Sequence, residues 1–259
     1  MSDQDWDPAK YEQYDRDRAR PAWDLMDRIP AHPMKNIVDL GCGAGAQAAA
    51  LKRRWPEASV TGVDSSLAML DRARTDNPDQ VLWLHGNVAR FMPEHPLDLV
   101  YSNAALQWLD DHASLFPRIA GFLSTGGVLA VQMPHNYDAP SHQVMRTIAE
   151  QAGWSADLSD VRRSDPVAPP DVYYDILRPH VSELDIWETT YLHVLEGDDP
   201  VAHWTKSTGL RPFLNALADD AEREAFFERY ATALQAHYPK QADGKTLFPF
   251  QRLFMVATR

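Results

Sequence analysis

A glycine-rich stretch at residues 38–46, Val-Asp-Leu-Gly-Cys-Gly-Ala-Gly-Ala, places the strongest constraint on how this chain can fold. A short apolar run, Asn36–Leu40, precedes it, and a run of good helix formers, Gln47–Trp55, follows it. This order predicts a strand, a tight turn and a helix. Gly41 and Gly43 allow the backbone to adopt positive φ and to approach a ligand closely. The start of the helix offers unpaired N–H groups to an electron-rich group.

The spacing of the glycines distinguishes between two cofactor classes. Gly41, Gly43 and Gly45 give G-x-G-x-G after an acidic and a hydrophobic residue, which is the usual S-adenosylmethionine turn. The dinucleotide fingerprint is G-x-G-x-x-G, and it survives here only in its looser form with alanine at position 46. Asp39 is unfavourable beside a pyrophosphate but suits the ammonium of a methionine moiety. The turn therefore favours S-adenosylmethionine over a dinucleotide, and a purely structural turn is a third interpretation.

Polar residues near the ends of later predicted strands extend this site. The second strand, Ser59–Asp64, ends in a carboxylate that can accept both hydroxyls of a ribose. The third and fourth strands, Val81–His85 and Leu97–Ser102, are each followed by an asparagine. Because the carboxyl ends of parallel strands line one crevice, we expect these side chains there. The predicted cofactor-binding residues on this part of the chain are Asp39, Gly41, Cys42, Gly43, Asp64, Ser65, Met69, Asn87, Val88 and Asn103.

Two of these residues also have an ordinary structural interpretation. Cys42 is the only cysteine, which excludes an internal disulfide, and it is more simply a small packing residue than a catalytic thiol. Met69 lies one turn into the next predicted helix, where it could flank an adenine or fill the core.

The alternation of predicted strands and helices indicates an α/β fold. We expect a doubly wound, mostly parallel, seven-stranded sheet with helices on both faces. The fifth strand is predicted at Val128–Met133 and the last at Leu253–Thr258, and the last strand would pair antiparallel because no crossover helix follows it. The predicted organisation is a single domain over residues 1–259, with a helical lid over 1–30 and substrate-side helical insertions over 134–180 and 197–245.

The N-terminal segment has helical periodicity and a dense mixed-charge run. Tyr11, Tyr14 and Arg18 fall on one helix face. This pattern is typical of a solvated helix surface. It also fits a lid that lays aromatic rings over a cofactor and an arginine against its carboxylate. On that interpretation, Tyr11 and Arg18 join the predicted cofactor-binding residues.

Charge and hydropathy limit the classes of partner. The net charge of −12 argues against nucleic acid, which needs a basic face, and means that an anionic substrate must be drawn by a local basic patch. The chain has no run of 18 apolar residues, and its first residues, Met1–Asp5, are polar and acidic. We therefore expect a cytoplasmic protein without a membrane partner, as a monomer or weak homodimer.

No catalytic constellation and no metal-ligand spacing is evident in the sequence, so we predict neither a catalytic residue nor a metal. Arginines in aromatic or proline contexts are more suggestive, because a guanidinium fork is a natural ligand for a carboxylate. In so acidic a chain, buried arginines paired with acids are an equally good interpretation. His135 and His193 are the histidines that could line the site. The candidate residues for binding a small anionic carboxylate are Arg20, Tyr174, Trp204, Arg211 and Arg252.

Motifs along nearly the whole chain resemble those of the class I S-adenosylmethionine-dependent methyltransferases, and within that class the trans-aconitate 2-methyltransferase family. The glycine motif is common to the class, whereas the stretches after residue 130 are more specific. The chain departs from the family pattern at Ala44, Ala46, Gln47 and Ala48, where proline and small polar residues are expected. The resemblance rests on Trp6–Pro8, Arg18–Ala22, Val38–Gly45, Thr61–Ser66, Asn103–Trp108, Gly127–Pro134, Tyr173–Leu177, Thr208–Pro212 and Pro249–Phe254.

The resemblance implies methyl transfer from S-adenosyl-L-methionine to a carboxylate of trans-aconitate or a similar small polycarboxylate, giving a monomethyl ester and S-adenosyl-L-homocysteine. Because a carboxylate is ionised at pH 7, no general base is needed. Three alternatives stay open: another small acid or a phenolic metabolite as acceptor, a nucleotide-dependent oxidoreductase, and a non-catalytic cofactor-binding regulator. The resemblance also implies cofactor contacts at Asp39, Gly41, Gly43, Asp64, Asn87 and Asn103.

Overall fold

The computed structural model of the protein is built around a seven-stranded sheet. The structure describes residues 19–77, 81–151, 153–154, 156–158, 161, 165, 167–206 and 208–259. The strands are β1 (Asn36–Leu40), β2 (Ser59–Asp64), β3 (Leu82–His85), β4 (Leu97–Asn103), β5 (Leu123–Pro134), β6 (Glu183–Leu195) and β7 (Thr246–Thr258). Their order in the sheet is β3-β2-β1-β4-β5-β7-β6.

Helices connect most of these strands. Residues 19–27 are helical and are called α1. The other α-helices are α2 (Ala46–Arg54), α3 (Leu67–Asp76), α4 (His112–Ala120), α5 (Pro140–Ala149), α6 (Pro170–Leu177), α7 (Pro200–Lys206), α8 (Arg211–Ala216) and α9 (Asp220–Leu234). Short 3₁₀ turns occupy Val88–Arg90, Leu106–Trp108 and Arg178–His180.

Strand pairing confirms the predicted fold class. The β1–β2, β2–β3, β1–β4 and β4–β5 pairs are parallel, whereas β7 runs antiparallel to β5. Residues Val128–Met133 of β5 are all buried, as expected for a central strand covered on both faces. The parallel register places Asp39 opposite both Gly62 and Tyr101. The carboxyl ends of β1, β2 and β4 therefore meet at one edge of the sheet.

The chain forms two compact units. The sheet unit comprises Arg18–Pro134, Pro166–Thr189 and Arg252–Arg259, and the helical unit includes His135–Asp165 and Thr190–Gln251. The core of the sheet unit packs around residues such as Phe116, Val131 and Tyr173. The core of the helical unit is more aromatic, and it includes Trp204, Phe213, Phe226, Tyr230 and Phe248.

The first predicted insertion is divided between the two units, whereas the second lies in one of them. Residues 135–165 of the first predicted insertion belong to the helical unit, whereas α6 belongs to the sheet unit. Residues 197–245 lie entirely in the helical unit. The role of both segments on the substrate side stays a prediction. Most of the predicted lid, including Tyr11 and Arg18, lies outside the described residues.

Within the described part of the chain, no helix combines the length and the apolar character that crossing a bilayer requires.

Candidate functional site

The glycine turn after β1 adopts the backbone that its sequence predicts. Gly41, Gly43 and Gly45 have φ values of 79°, 52° and 85°, all in the left-handed region that favours glycine. A Cβ atom on Gly41 would overlap that of Ala105, so the turn packs directly against the loop after β4. A Cβ atom on Gly43 would meet no heavy atom within 4 Å. The turn is therefore closed at Gly41 and open to a ligand at Gly43.

Asp64, at the end of β2, ties two segments of this site together. Its Oδ2 accepts a hydrogen bond of 2.8 Å from the Gly43 N–H, and its Oδ1 accepts one of 2.8 Å from the Ser66 N–H. Each carboxylate oxygen has a second lone pair, so acceptor capacity remains for the hydroxyls of a ribose. Asp64 was predicted from the sequence to bind a ribose, whereas its hydrogen bond to the glycine turn was not predicted.

Asp39, at the end of β1, is a buried acid with an unfilled acceptor. Only 2% of its surface is exposed, and its Oδ2 has no hydrogen-bond partner among the described residues. Burial and then the nearby charge of Asp64 raise the pKa of Asp39 to about 7, against a smaller opposing effect from the Ala48 N–H. A buried acceptor of this kind needs a donor, and a cation satisfies both its charge and its lone pairs.

The loop after β4 adds two more buried acceptors. Asn103 Oδ1 and Gln107 Oε1 have no hydrogen-bond partner within the described part of the chain. Gln107 uses its Nε2 to donate 2.8 Å to the carbonyl of Ala104, whose φ of 53° is unusual for alanine. Asn103 was predicted from its position after the strand. Gln107 was not singled out, although it lies in the Asn103–Trp108 stretch that carries the family resemblance.

Two of the predicted cofactor-binding residues, Asn87 and Val88, lie at the start of the 3₁₀ turn after β3. Asn87 is exposed, and its Oδ1 accepts 2.8 Å from the Ala89 N–H, which caps the turn and leaves its carboxamide nitrogen for another partner. The guanidinium of Arg118 on α4 donates to the carbonyls of Val88 at 3.1 Å and Phe91 at 2.7 Å. Arg118 therefore fixes the backbone at Val88. Arg118 was not among the site residues predicted from the sequence.

The remaining predicted cofactor residues differ in exposure. Cys42 is buried, and burial together with the charges of Asp39 and Asp64 raises the pKa of its thiol, so the group stays protonated and acts in packing. Met69 is 48% exposed on α3, which excludes the core interpretation. Ser65 is exposed.

The predicted substrate residues of the sheet unit lie in three different environments. Arg20 is exposed on α1, where its Nε lies 3.9 Å from a carboxylate oxygen of Asp24. Tyr174 is half-exposed on α6. Arg252 is 5% exposed on β7 and donates 3.3 Å to Oε1 of the buried Gln132. Their contact with a substrate stays a prediction.

The predicted residues of the helical unit also differ. Trp204 is 1% exposed, and its ring centroid lies 4.5 Å from that of the buried His193, so both side chains belong to the core of this unit. Arg211 is exposed at the first residue of α8. The position of Trp204 gives it a packing role, and a substrate contact there stays a prediction.

An open cavity of about 760 Å³ lies within the helical unit. His135 lines it, together with Asn136, whose buried Nδ2 has no hydrogen-bond partner among the described residues. Asp138 and Asp165 also line the cavity, so its charge does not by itself favour an anion. Nowhere in the described ranges do three His, Cys, Asp or Glu side chains come together as a metal site.

Comparison with known proteins agrees with this geometry. A family model described as "Methyltransferase domain" matches residues 38–131, which include the glycine turn and the loop after β4. The trans-aconitate 2-methyltransferase of Azoarcus sp. (strain BH72) is 46% identical over 255 residues, 98% of this chain and 99% of that protein. The protein of the same name from Klebsiella pneumoniae (strain 342) is 45% identical over 98% of each chain.

Solved structures support the fold. An S-adenosylmethionine-dependent methyltransferase from Mesorhizobium loti superposes with a TM-score of 0.51 at 23% identity, over 95% of this chain and 100% of that chain. Phosphoethanolamine N-methyltransferase 2 of Haemonchus contortus, solved with S-adenosylhomocysteine, gives 0.55 at 16% identity, over 93% of this chain and 52% of that chain. The resemblance drawn from the motifs is confirmed. The glycine turn, the buried acceptors around it and the near-full-length identity together show that this chain belongs to the trans-aconitate 2-methyltransferase family of class I S-adenosylmethionine-dependent methyltransferases.

Proposed function

We propose that this protein transfers the methyl group of S-adenosyl-L-methionine to a carboxylate of trans-aconitate or a closely similar small polycarboxylate. The products are the monomethyl ester and S-adenosyl-L-homocysteine. The observation that carries the choice of acceptor is the 46% identity, over nearly the whole of both chains, to a protein named for that reaction. The oxidoreductase and regulator alternatives have no comparable support.

The cofactor assignment follows from the unfilled acceptors of the sheet unit. Asp39 and Asn103 each have a buried oxygen that the ammonium of the methionine moiety can satisfy. Asp64 retains acceptor capacity for the ribose, and the open backbone at Gly43 allows the cofactor to approach closely. We assign the adenine to Met69 and Asn87, which are exposed, and to the half-buried Val88. We also propose that Tyr11 and Arg18 of the predicted N-terminal lid contact the bound cofactor.

The chemistry requires little of the protein beyond position. When bound, S-adenosylmethionine supplies an electrophilic methyl group on a sulfonium. The acceptor carboxylate carries no proton at pH 7, so no side chain has to act as a base. The residues of the crevice then contribute by orienting the two reactants and by excluding water. We therefore propose that no residue of the chain exchanges a proton during the reaction.

The acceptor residues are proposed on side-chain chemistry. A tricarboxylate needs several positive or donating groups, and an arginine fork can bind a carboxylate through two hydrogen bonds. Arg211 is the strongest of these candidates because it is exposed and lies in the Thr208–Pro212 motif. The other residues proposed for the acceptor are Arg20, Tyr174, Trp204 and Arg252.

Labelled methyl transfer to a panel of acids tests the proposed acceptor. The panel holds trans-aconitate, other di- and tricarboxylates, a phenol and a neutral alcohol. We expect the highest kcat/KM with trans-aconitate. Labelling of the phenol without labelling of trans-aconitate would refute the acceptor. In a parallel melting assay, protection by NADH instead of S-adenosylhomocysteine would support the oxidoreductase.

Substitution of Arg211 tests the acceptor residues. Arg211→Ala is expected to raise KM for trans-aconitate by about tenfold or more, since hydrogen bonds to charged groups are the strong ones, and to leave the Kd of S-adenosylhomocysteine unchanged. Arg229→Ala is a matched control, because Arg229 is also exposed in the helical unit, with its guanidinium 4.8 Å from the ring of Trp154. Equal effects of the two variants on both constants would make Arg211 a structural residue.

We further propose that the enzyme is cytoplasmic, metal-independent and a monomer or weak homodimer, without nucleic acid or membrane partners. Full activity after dialysis against EDTA and a monomeric mass by light scattering are the expected results.

A further inference from the structure

A histidine and a tyrosine of the sheet unit form a hydrogen-bonded relay behind the loop after β4. His112 is the first residue of α4, and its Nδ1 lies 2.6 Å from the hydroxyl oxygen of Tyr173 on α6. Its Nε2 lies 3.0 Å from the carbonyl oxygen of Leu106. Neither side chain has a role in the site described above.

The partners decide which nitrogen carries the proton. A carbonyl oxygen can only accept, so Nε2 of His112 must donate to Leu106. Nδ1 of the neutral ring is then an acceptor, and the Tyr173 hydroxyl donates to it. The Tyr173 oxygen in turn accepts 3.3 Å from the Ala168 N–H. The relay therefore runs in one direction, from the Ala168 backbone through two side chains to the Leu106 carbonyl.

The relay is rigid because Tyr173 is held by packing. Its side chain is fully buried, and its ring centroid lies 5.0 Å from that of Phe116 and 5.8 Å from that of His112. A tyrosine fixed in a close-packed core can hold its hydroxyl, and hence the imidazole, in one place.

The loop that receives this relay is strained. Ala104 has a φ of 53°, in the left-handed region that is unfavourable for a residue with a Cβ atom. Such strain persists only where the surroundings over-determine it. The Ala104 N–H donates 2.9 Å to the Gln132 carbonyl, and the Ala104 carbonyl accepts from Gln107. The bond from His112 to the Leu106 carbonyl, which also accepts 3.0 Å from the Leu109 N–H, is a further restraint on this loop.

The loop also sets the dimensions of the cofactor crevice. Ala105 packs so closely against Gly41 that no Cβ fits there, and Asn103 presents a buried, unfilled oxygen. A small movement of Leu106 would therefore move both the glycine turn and the proposed ammonium contact.

We propose that His112 and Tyr173 are positioning residues for methyl transfer. They hold the Leu106 carbonyl, and through it residues 103–108, in the strained conformation that shapes the cofactor crevice. This inference rests on the proposed cofactor site, but not on the identity of the acceptor.

Two substitutions of His112 separate the two halves of the relay. The Oδ1 of His112→Asn can replace Nδ1 as acceptor from Tyr173 but cannot reach Leu106. The Nε2 of His112→Gln can replace the imidazole Nε2 as donor to Leu106. We expect His112→Asn to raise the Kd of S-adenosylhomocysteine about tenfold, and His112→Gln to stay within about threefold of the unsubstituted protein. Tyr173→Phe, which keeps the ring in the core, is expected to give an intermediate increase.

Tyr230→Phe is the matched control. Tyr230 is also fully buried and bonds to the Thr205 hydroxyl at 2.9 Å, but it lies in the helical unit. We expect it to lower the melting temperature about as much as Tyr173→Phe and to leave the Kd of S-adenosylhomocysteine unchanged.

Calorimetric titration with S-adenosylhomocysteine and thermal melting decide the outcome without an acceptor. Equal affinities of His112→Asn and His112→Gln would overturn the proposal, as would a loss of affinity in Tyr230→Phe that matches that in Tyr173→Phe. If His112→Asn does not fold, an unchanged affinity of Tyr173→Phe overturns it and a weakened one supports it. A protein that binds S-adenosylhomocysteine but does not methylate trans-aconitate would refute the proposed acceptor and leave this inference intact.

Discussion

Asp39 is a single side chain whose charge the unliganded fold accommodates poorly. Its pKa is raised from 3.8 to about 7, chiefly because burial removes the carboxylate from water. Between these two values the folded protein binds a proton that the unfolded chain releases. The free energy of unfolding therefore falls as the pH rises from about 4 to 7, and it stays low above pH 7. Bound cofactor would offset this cost by placing an ammonium beside the charge.

Asp39→Asn is expected to stabilise the unliganded protein at pH 8 by up to roughly 4 kcal/mol, since one unit of pKa shift corresponds to about 1.4 kcal/mol. The gain should vanish near pH 4, where Asp39 is neutral in both states. Urea unfolding of the two proteins at pH 4 and pH 8 measures the difference. A variant that is less stable than the unsubstituted protein at pH 8 would show that the buried charge is already compensated.

The same proton should control cofactor affinity. Below pH 7 the free protein must lose a proton from Asp39 before it can hold an ammonium. The Kd of S-adenosylhomocysteine is therefore expected to rise about tenfold for each unit by which the pH falls below 7. Asp39→Asn should bind weakly at every pH, with a much flatter profile. Calorimetric titrations from pH 5.5 to 8 test this. An unchanged slope in the variant would assign the pH dependence to another group.

Individual site residues differ in how far they could be predicted from sequence. Asp39, Asp64 and Asn103 follow strands, and their position alone indicates the crevice. Arg118 acts on a carbonyl 27 residues away, and His112 bonds to a tyrosine 61 residues away. No local pattern marks such partners, because only the packing of α4 against the 3₁₀ turn Val88–Arg90 and against α6 brings them together. The roles of Arg118 and His112 could therefore be identified only from the structure.

At the scale of elements, the number and direction of the strands were predicted correctly, but the predicted starts of β5 and β7 were several residues too late. β5 begins at Leu123, earlier than predicted, because the chain continues as a strand through Gly126 and Gly127, where its pairing with β4 shifts register. β7 begins at Thr246, since Pro249 is exposed and does not interrupt the strand. Gly126, Gly127 and Pro249 all lie within strands, although glycine and proline are more often found at strand ends.

The 3₁₀ turn Val88–Arg90 gives a prediction at this scale. Arg118→Met keeps the aliphatic stem but removes the two hydrogen bonds to Val88 and Phe91, so the adenine side of the crevice should loosen. We expect the Kd of S-adenosylhomocysteine to rise about tenfold by calorimetry. Arg72→Met is the control, because the exposed Arg72–Asp76 pair on α3 should contribute little. Equal affinities of the two variants would contradict the role of Arg118.

For the whole molecule, the cofactor residues assigned within the described part of the chain all belong to the sheet unit. Hydrogen exchange with and without S-adenosylhomocysteine should therefore show new protection in peptides covering residues 38–48, 61–69, 84–91 and 101–108. The core helix α9, with Phe226 and Tyr230 fully buried, should exchange at the same slow rate in both states. Protection confined to the helical unit would place the cofactor elsewhere.

The sheet order has a consequence for how the protein is made. In the sheet, β7 lies between β5 and β6, yet it follows both in the chain. While the ribosome is still translating α7 to α9, the nascent chain has one side of β5 unpaired and β6 without this neighbour. Open strand edges of this kind attract other chains. The sheet can therefore be completed only after β7 has left the ribosome. Until then, a chaperone that covers strand edges would protect the nascent chain from aggregation.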